Sequence, residues 1–325
     1  MSIKTLTAQM ILAEHLYRPI SGTVVTLGRN SVSLTGDQLD QLMQTMGVPK
    51  RPDFQYDIDA DTMGRGRERI TQESFFGAFS DARVISLDVS NYENAEIICD
   101  IQERLPRRWR RSADFVYDGG SLDNIFDVAA TLKNLSRLIK PGGRFLASNN
   151  GGPHPTSYLK FSADWFMDFF AVNDYADCKT YICVHPNTFG VPHLKMKAKP
   201  DPKSPHEIVG YSFNPYVTHD HGDGYDCSSV ESQCRYQIFV FAEKGSNSTD
   251  DRNPIQKHYR VDPKTNAFCN ARARRFLESP RPVFAGIHAF DPATIPRIDS
   301  SDYPEQIKPV AVIPLRKAGG ASAAA

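Results

Sequence analysis

Three short apolar runs, residues 83–87 (RVISL), 96–99 (EIIC) and 114–117 (DFVY), each end at an aspartate: Asp88, Asp100 and Asp118. Runs this short, rich in Ile, Val and Phe, read as buried strands rather than helices. Carboxylates repeated at strand C-termini belong to an open sheet whose strand ends face a ligand crevice. Residues 22–27 (GTVVTL) add an earlier strand, 144–148 (RFLAS) a later one, and 178–185 with 235–243 a closing pair. Segments of helical spacing lie between them. Leu39, Leu42, Met43 and Met46 follow a capping box of Thr35 and Gln38; Val128, Leu132, Leu135, Leu138 and Ile139 follow Asp127; Trp165, Phe166, Phe169 and Phe170 follow Ser162. Strand and helix in alternation predict an α/β chain with a mostly parallel sheet and helices on both faces.

The punctuation sets the expected boundaries. Gly47 and Pro49 end the first of these helices, residues 140–143 (KPGG) stop the second, and the polar stretch 50–70 reads as a loop before a short aromatic helix at 71–79. Residues 186–234, rich in Pro, His and Gly, separate the closing strands and read as a lid insertion within a domain of residues 1–245. Residues 246–325 are then a C-terminal extension of weak periodicity ending in a disordered tail. The charge balance excludes a polyanion-binding or acidic scaffold protein, since 38 Lys and Arg offset 38 Asp and Glu. Six scattered cysteines without a C-x-x-C pair, and an N-terminal stretch broken by Glu14 and His15, predict a cytoplasmic chain without membrane association.

The stretch 114–127 (DFVYDGGSLDNIFD), followed by 132–144 (LKNLSRLIKPGGR), resembles the class I S-adenosylmethionine-dependent methyltransferases. Residues 87–90 (LDVS) and 99–106 (CDIQERLP) are similar to that family's second and third strand ends, so the resemblance covers about residues 20–185 and the strand near 240. It implies a Rossmann-like sheet of seven strands, mostly parallel with an antiparallel last strand, and S-adenosylmethionine lying across the strand ends. Asp88 is then the ribose anchor, Asp100 faces the adenine, and Asp118 and Gly119 line the methionine arm. The first glycine-rich loop of the family is reduced here to Gly28 within 26–31 (TLGRNS), with Arg29 as a partner for the donor carboxylate. The interval from Gly28 to Asp88 is longer than one crossover needs, while that from Asp88 to Asp100 leaves almost no room for a helix.

Methyl transfer needs an in-line nucleophile, and a base only where the acceptor carries a proton. His154, after the fifth strand, and Asp123 are the candidate bases. The expected acceptor is a small polar molecule such as a sugar or secondary metabolite, with no nucleic-acid partner; the sequence leaves the oligomeric state open. A non-catalytic protein that keeps the fold as a binding or assembly module is the alternative. His219 and His221, in residues 217–223 (VTHDHGD), lack the third histidine of a hydrolase metal run, so no metal is expected there. Arg104, Arg107, Arg108, Arg110 and Arg111 surround Trp109. They read as a solvated rim balanced by nearby acids, or as a grip for a phosphate or sugar nucleotide.

Overall fold

The computed structural model describes residues 2–58, 68–91, 93–152, 157–184, 209–212, 236–279, 281 and 287–289. The chain opens with β1 (Ser2–Ile3), α1 (Thr5–Tyr17), β2 (Thr23–Leu27), β3 (Ser31–Val32), α2 (Gly36–Met46) and α3 (Gln72–Gly77). It continues through β4 (Arg83–Asp88), β5 (Ile97–Ile98), β6 (Ala113–Asp118), α4 (Val128–Leu138), β7 (Ile139–Asn150) and α5 (Ala163–Val172). Then follow β8 (Asp177–Val184), β9 (Val209–Ser212), β10 (Tyr236–Glu243), α6 (Pro263–Glu278) and β11 (Ile287–Ala289).

β1 and β3 pair with each other, and the other nine strands form one sheet in the order β11-β9-β8-β10-β7-β6-β2-β4-β5. The expected seven strands lie within it. β5, β4, β2, β6 and β7 are mutually parallel, and β10 runs antiparallel to both β7 and β8. β9 joins β8 antiparallel, and β11 joins β9 parallel. Thus four residues of the stretch read as a lid extend the sheet; the remainder of 186–234, with His219 and His221, lies outside the described residues.

Alternation along the strands divides the core between two faces. Val25, Leu27, Val116, Phe145 and Ala147 point to one face, under α4, α5 and α6; Val24, Phe115, Tyr117 and Leu146 point to the other, under α1, α2 and α3. Local signals set the helix ends. Thr35 and Gln38 form the capping box of α2, which closes on Gly47 at φ +74°, the left-handed region that favours glycine. The Asp127 side chain accepts from Ala130 N at 3.0 Å, a cap worth about 1 kcal/mol to α4. The KPGG segment behaves differently from expectation. α4 ends at Leu138 and β7 begins at once with Ile139, so these glycines sit inside the strand, where Gly142 N donates to Lys244 O. The register shift between Ala113 and Phe115 on the neighbouring β6 absorbs the irregularity.

Both termini contribute to the core beyond what their patterns predict. Cys269, Ala273 and Phe276 of α6 are fully buried in the face formed with α5. On α1, Glu14 is buried because Arg144 Nη1 donates to its Oε1 at 2.9 Å and Arg281 donates to its Oε2. Arg281 also bonds Asp177 Oδ2 at 2.7 Å and stands over the Tyr17 ring at 4.8 Å. Burial alone would lower the Arg281 pKa, yet the Glu14 and Asp177 carboxylates raise it above the ordinary value. This ion cluster joins the first helix, two sheet strands and the C-terminal extension at the N-terminal ends of β7 and β8. Among the described residues no helix is long and apolar enough to cross a membrane.

Candidate functional site

The C-terminal ends of β2, β4 and β6 lie side by side, because β2 pairs with both β4 and β6. The polar residues that follow these strands therefore share one rim. Gly28 follows β2 with φ +69°, and its N–H donates to Leu87 O at 2.7 Å, tying the first loop to β4. The loop is braced from below. Thr26 Oγ1 and Asn30 Nδ2 both donate to Gly28 O, and Gln72 Oε1 accepts from Asn30 N at 2.9 Å. Gln72 comes from α3, so the long first crossover returns to support the loop where a glycine-rich turn would otherwise stand. Arg29 pairs with Glu73 at 3.2 Å, and a ligand carboxylate would have to compete with that partner.

Asp88 ends β4. Its Oδ1 accepts from Ser90 N at 3.0 Å in an Asx turn, while no described group donates to Oδ2. Asp100 lies just past β5, which is only two residues long; its Oδ1 accepts from Gln102 N at 2.9 Å. Both carboxylates are partly exposed on the rim.

Asp118 is placed differently. It is fully buried, accepting from Ser121 N at 2.7 Å and from Asn149 Nδ2 at 2.7 Å, so it shapes the Gly119–Leu122 turn from beneath rather than meeting solvent. Burial, opposed by those hydrogen bonds and reinforced by the nearby Asp123 charge, pushes its pKa up to about 6. Gly119 has a steric reason to be glycine. A Cβ there would stand 2.1 Å from Asn30 Oδ1 and 2.9 Å from Tyr117 Oη. Gly120 turns the chain at φ +99°. Asn30 Oδ1, Tyr117 Oη and Asn149 Oδ1 are buried without a hydrogen-bond partner among the described residues, and all three lie immediately beneath the strand ends.

Asp123 is also fully buried. Its Oδ1 accepts from Asn124 Nδ2 at 2.8 Å, and its Oδ2 accepts from Asn150 Nδ2, Asn150 N and Ser157 Oγ. With the Leu159 N to Asp123 O bond at 3.0 Å, this carboxylate ties the loop after β6 to the loop after β7. A carboxylate holding this many donors anchors loops, and proton removal from an acceptor would first require releasing some of them. His154 lies outside the described residues. The structure thus gathers Gly28, Arg29, Asp88, Asp118 and Gly119 at one set of strand ends, with Asp100 at its edge. It adds Asn30, Gln72, Asn149 and Asn150. Of these, Asn149 and Asn150 are legible as polar residues ending a strand, whereas Gln72 reaches the loop only through tertiary packing.

No family model and no curated protein matches the chain. Among solved structures it is similar to YcgJ protein from Bacillus subtilis, at 12% identity and TM-score 0.39, over 74% of this chain and 98% of that one. It is also similar to Haemonchus contortus phosphoethanolamine N-methyltransferase 2 in complex with S-adenosyl-L-methionine, at 14% identity and TM-score 0.37, over 73% of this chain. That match spans about half, 52%, of the Haemonchus chain. A third is Burkholderia thailandensis 1,6-didemethyltoxoflavin-N1-methyltransferase with S-adenosylhomocysteine, at 15% identity and TM-score 0.34, over 74% of this chain and 78% of that one. The fold assignment rests on the strand order and directions given above.

Proposed function

We propose that this chain is an S-adenosylmethionine-dependent methyltransferase acting on a small polar acceptor. The observation that carries the reading is the alignment of Asp88, Asp100 and the Gly119–Gly120 turn on one rim of the methyltransferase-type sheet, with Asp88 keeping a carboxylate oxygen open. The residues suit the donor. Asp88 Oδ2 offers an acceptor for ribose hydroxyls, Asp100 is an acceptor for the adenine amino group, and the half-buried Gly119 and Gly120 bring the backbone to the rim for the methionine arm. The orphaned Asn30 and Tyr117 oxygens beneath this turn add unspent polar capacity.

When bound, the sulfonium donor supplies an electrophilic methyl group. The protein's share of catalysis is then alignment: Asp88 and Asp100 fix the nucleoside, and the Asp118-held turn fixes the other end. The loops after β6 and β7, joined through Asp123, form a rigid wall on the acceptor side and limit water at the reacting centre. Asp88→Ala is expected to weaken S-adenosylhomocysteine binding by calorimetry about 30- to 1,000-fold, the equivalent of about 2–4 kcal/mol for charge-assisted bonds to two hydroxyls. A thermal melt should move little. Unchanged affinity with a lowered melting temperature would refute the ribose role.

A second reading, a non-catalytic protein of the same fold, is favoured by one observation. The first loop is closed on itself by Thr26, Asn30 and Gln72, and Arg29 is spent on Glu73. The same titration separates the two, because the second reading predicts that the unmutated protein binds no S-adenosylhomocysteine.

A further inference from the structure

The connection from β5 to β6, residues 99–112, contains no α-helix, only the single 3₁₀ turn Arg107–Trp109. In a doubly wound sheet such a connection ordinarily carries a helix that covers its neighbours. Here no described element covers the outward side of α4, and a cleft of about 400 Å³ opens along it, lined by Arg104 on one wall and by Lys133 and Arg137 on the other, with Gln102 and Asn253 also in the lining. Arg111 N donates to Arg137 O at 2.8 Å and Ser112 N to Leu138 O at 2.9 Å, so the arginine-rich segment is fastened to the lower end of this cleft. Trp109 packs against the core and pins the turn, with the Arg108 guanidinium 5.7 Å from its ring.

Arg104, Arg107, Arg108, Arg110 and Arg111 are all exposed, and among the described residues none has a carboxylate within ion-pair distance; Lys133 has none either. Two carboxylates do line the cleft. Asp127 is occupied as the α4 cap, and Arg137 is already paired with Asp250 at 3.4 Å, which leaves Glu103 facing Arg104 and Lys133. A concave site with unspent guanidinium and ammonium groups on opposing walls matches an anion with two charged centres, because guanidinium forks bind phosphate oxygens in pairs.

We propose that this cleft, which adjoins the strand-end rim through the Gln102 side chain bonded to Asp100, is a binding site for a small molecule carrying a diphosphate group, and the proposal does not depend on the methyltransferase reading. Arg104 and Lys133 grip the two phosphoryl groups from the two walls, and Arg107 and Arg108 add charge from the 3₁₀ turn that follows Arg104 in the chain. The small volume of the cleft and the local confinement of the charge, on a chain of zero net charge, favour a small ligand over a macromolecular surface.

The test is calorimetric titration of the full chain with inorganic pyrophosphate, followed in parallel by tryptophan fluorescence. Saturable one-to-one binding is expected. It should weaken at least tenfold in Arg104→Gln combined with Arg107→Gln and Arg108→Gln, and at least fivefold in Lys133→Gln, with the melting temperature unchanged for the exposed arginines and little changed for the half-buried Lys133. Absence of saturable binding, or equal binding by both variants, would overturn the proposal. So would a preference for phosphatidylglycerol vesicles or duplex DNA over pyrophosphate, since the arginines would then serve a macromolecular surface.

Discussion

Asp118→Asn tests whether the carboxylate beneath the Gly119 turn is held there at a cost. In the folded protein its pKa stands near 6, against 3.8 for an unperturbed aspartate, with burial as the largest cause. Between about pH 4 and pH 6 the folded state keeps a proton that the unfolded chain has released. Folding takes up a proton in that window, and stability falls as the pH rises through it. Below about pH 4 the group is protonated in both states and costs nothing; above about pH 6 the full penalty applies. At about 1.4 kcal/mol per pH unit that penalty is about 3 kcal/mol. Asparagine keeps an oxygen to accept from Ser121 N and removes the charge. Its new amide nitrogen meets Asn149, whose Oδ1 has no partner and becomes the acceptor once that side-chain amide turns over. Urea unfolding of both proteins at pH 4, 5, 6 and 7.5 measures the difference, in which the other titrating groups largely cancel. The variant should match the original chain near pH 4 and exceed it by about 2–3 kcal/mol at pH 7.5. A difference that stays flat with pH, or a variant that is the less stable at pH 7.5, would refute the reasoning and make the ionised carboxylate a net stabiliser of its turn.

Two further substitutions probe the frame around the site. Arg281→Met should cost about 3–5 kcal/mol in urea unfolding, because Asp177 loses its closest cation and Glu14 keeps only Arg144; adding Asp177→Asn should restore part of it, and a loss below about 1 kcal/mol would show that the cluster rearranges freely. Gly119→Ala should lower the melting temperature by displacing Asn30, and Asn30→Gly in the same chain should restore part of it, since the closer clash is with the Asn30 side-chain oxygen 2.1 Å away and the lesser one, with Tyr117 Oη at 2.9 Å, remains; absence of any rescue in the double variant would place the strain elsewhere.

Which of these features the sequence could show depends on how far apart their causes lie along the chain. The seven-stranded sheet was readable because each strand and its cap are written locally: Thr35 with Gln38, Asp127, and the aspartates that close three apolar runs. The same locality explains why Asp88 and Asp100 could be placed on a rim before any coordinates. The KPGG segment stops α4 as read, but the start of β7 was not legible in it, because glycine and proline signal the end of a helix equally well whether a loop or a strand follows, and only pairing with β6 and β10 decides between them. α6 was not readable as core. Its arginines dilute the pattern, and Cys269, Ala273 and Phe276 acquire meaning only against the face of α5.

The aspartates show most clearly where local signals stop. Asp88, Asp118 and Asp123 look alike in sequence, each a carboxylate following an apolar or turn residue near a strand end. Their roles separate only through partners that are distant in the chain. Asp118 meets Asn149 from β7, and Asp123 meets Asn150 and Ser157, so both become buried anchors that hold the loops. Among the described residues Asp88 has only its own Asx turn as a partner, and its Oδ2 accepts from none of them. A ligand can draw only on hydrogen-bonding capacity that the fold has not already used. By that criterion Asp88 is the strand-end carboxylate with an oxygen to spare, Asp100 would first have to give up the Gln102 amide shared between its two oxygens, and Asp118 and Asp123 keep the turn and the wall in place.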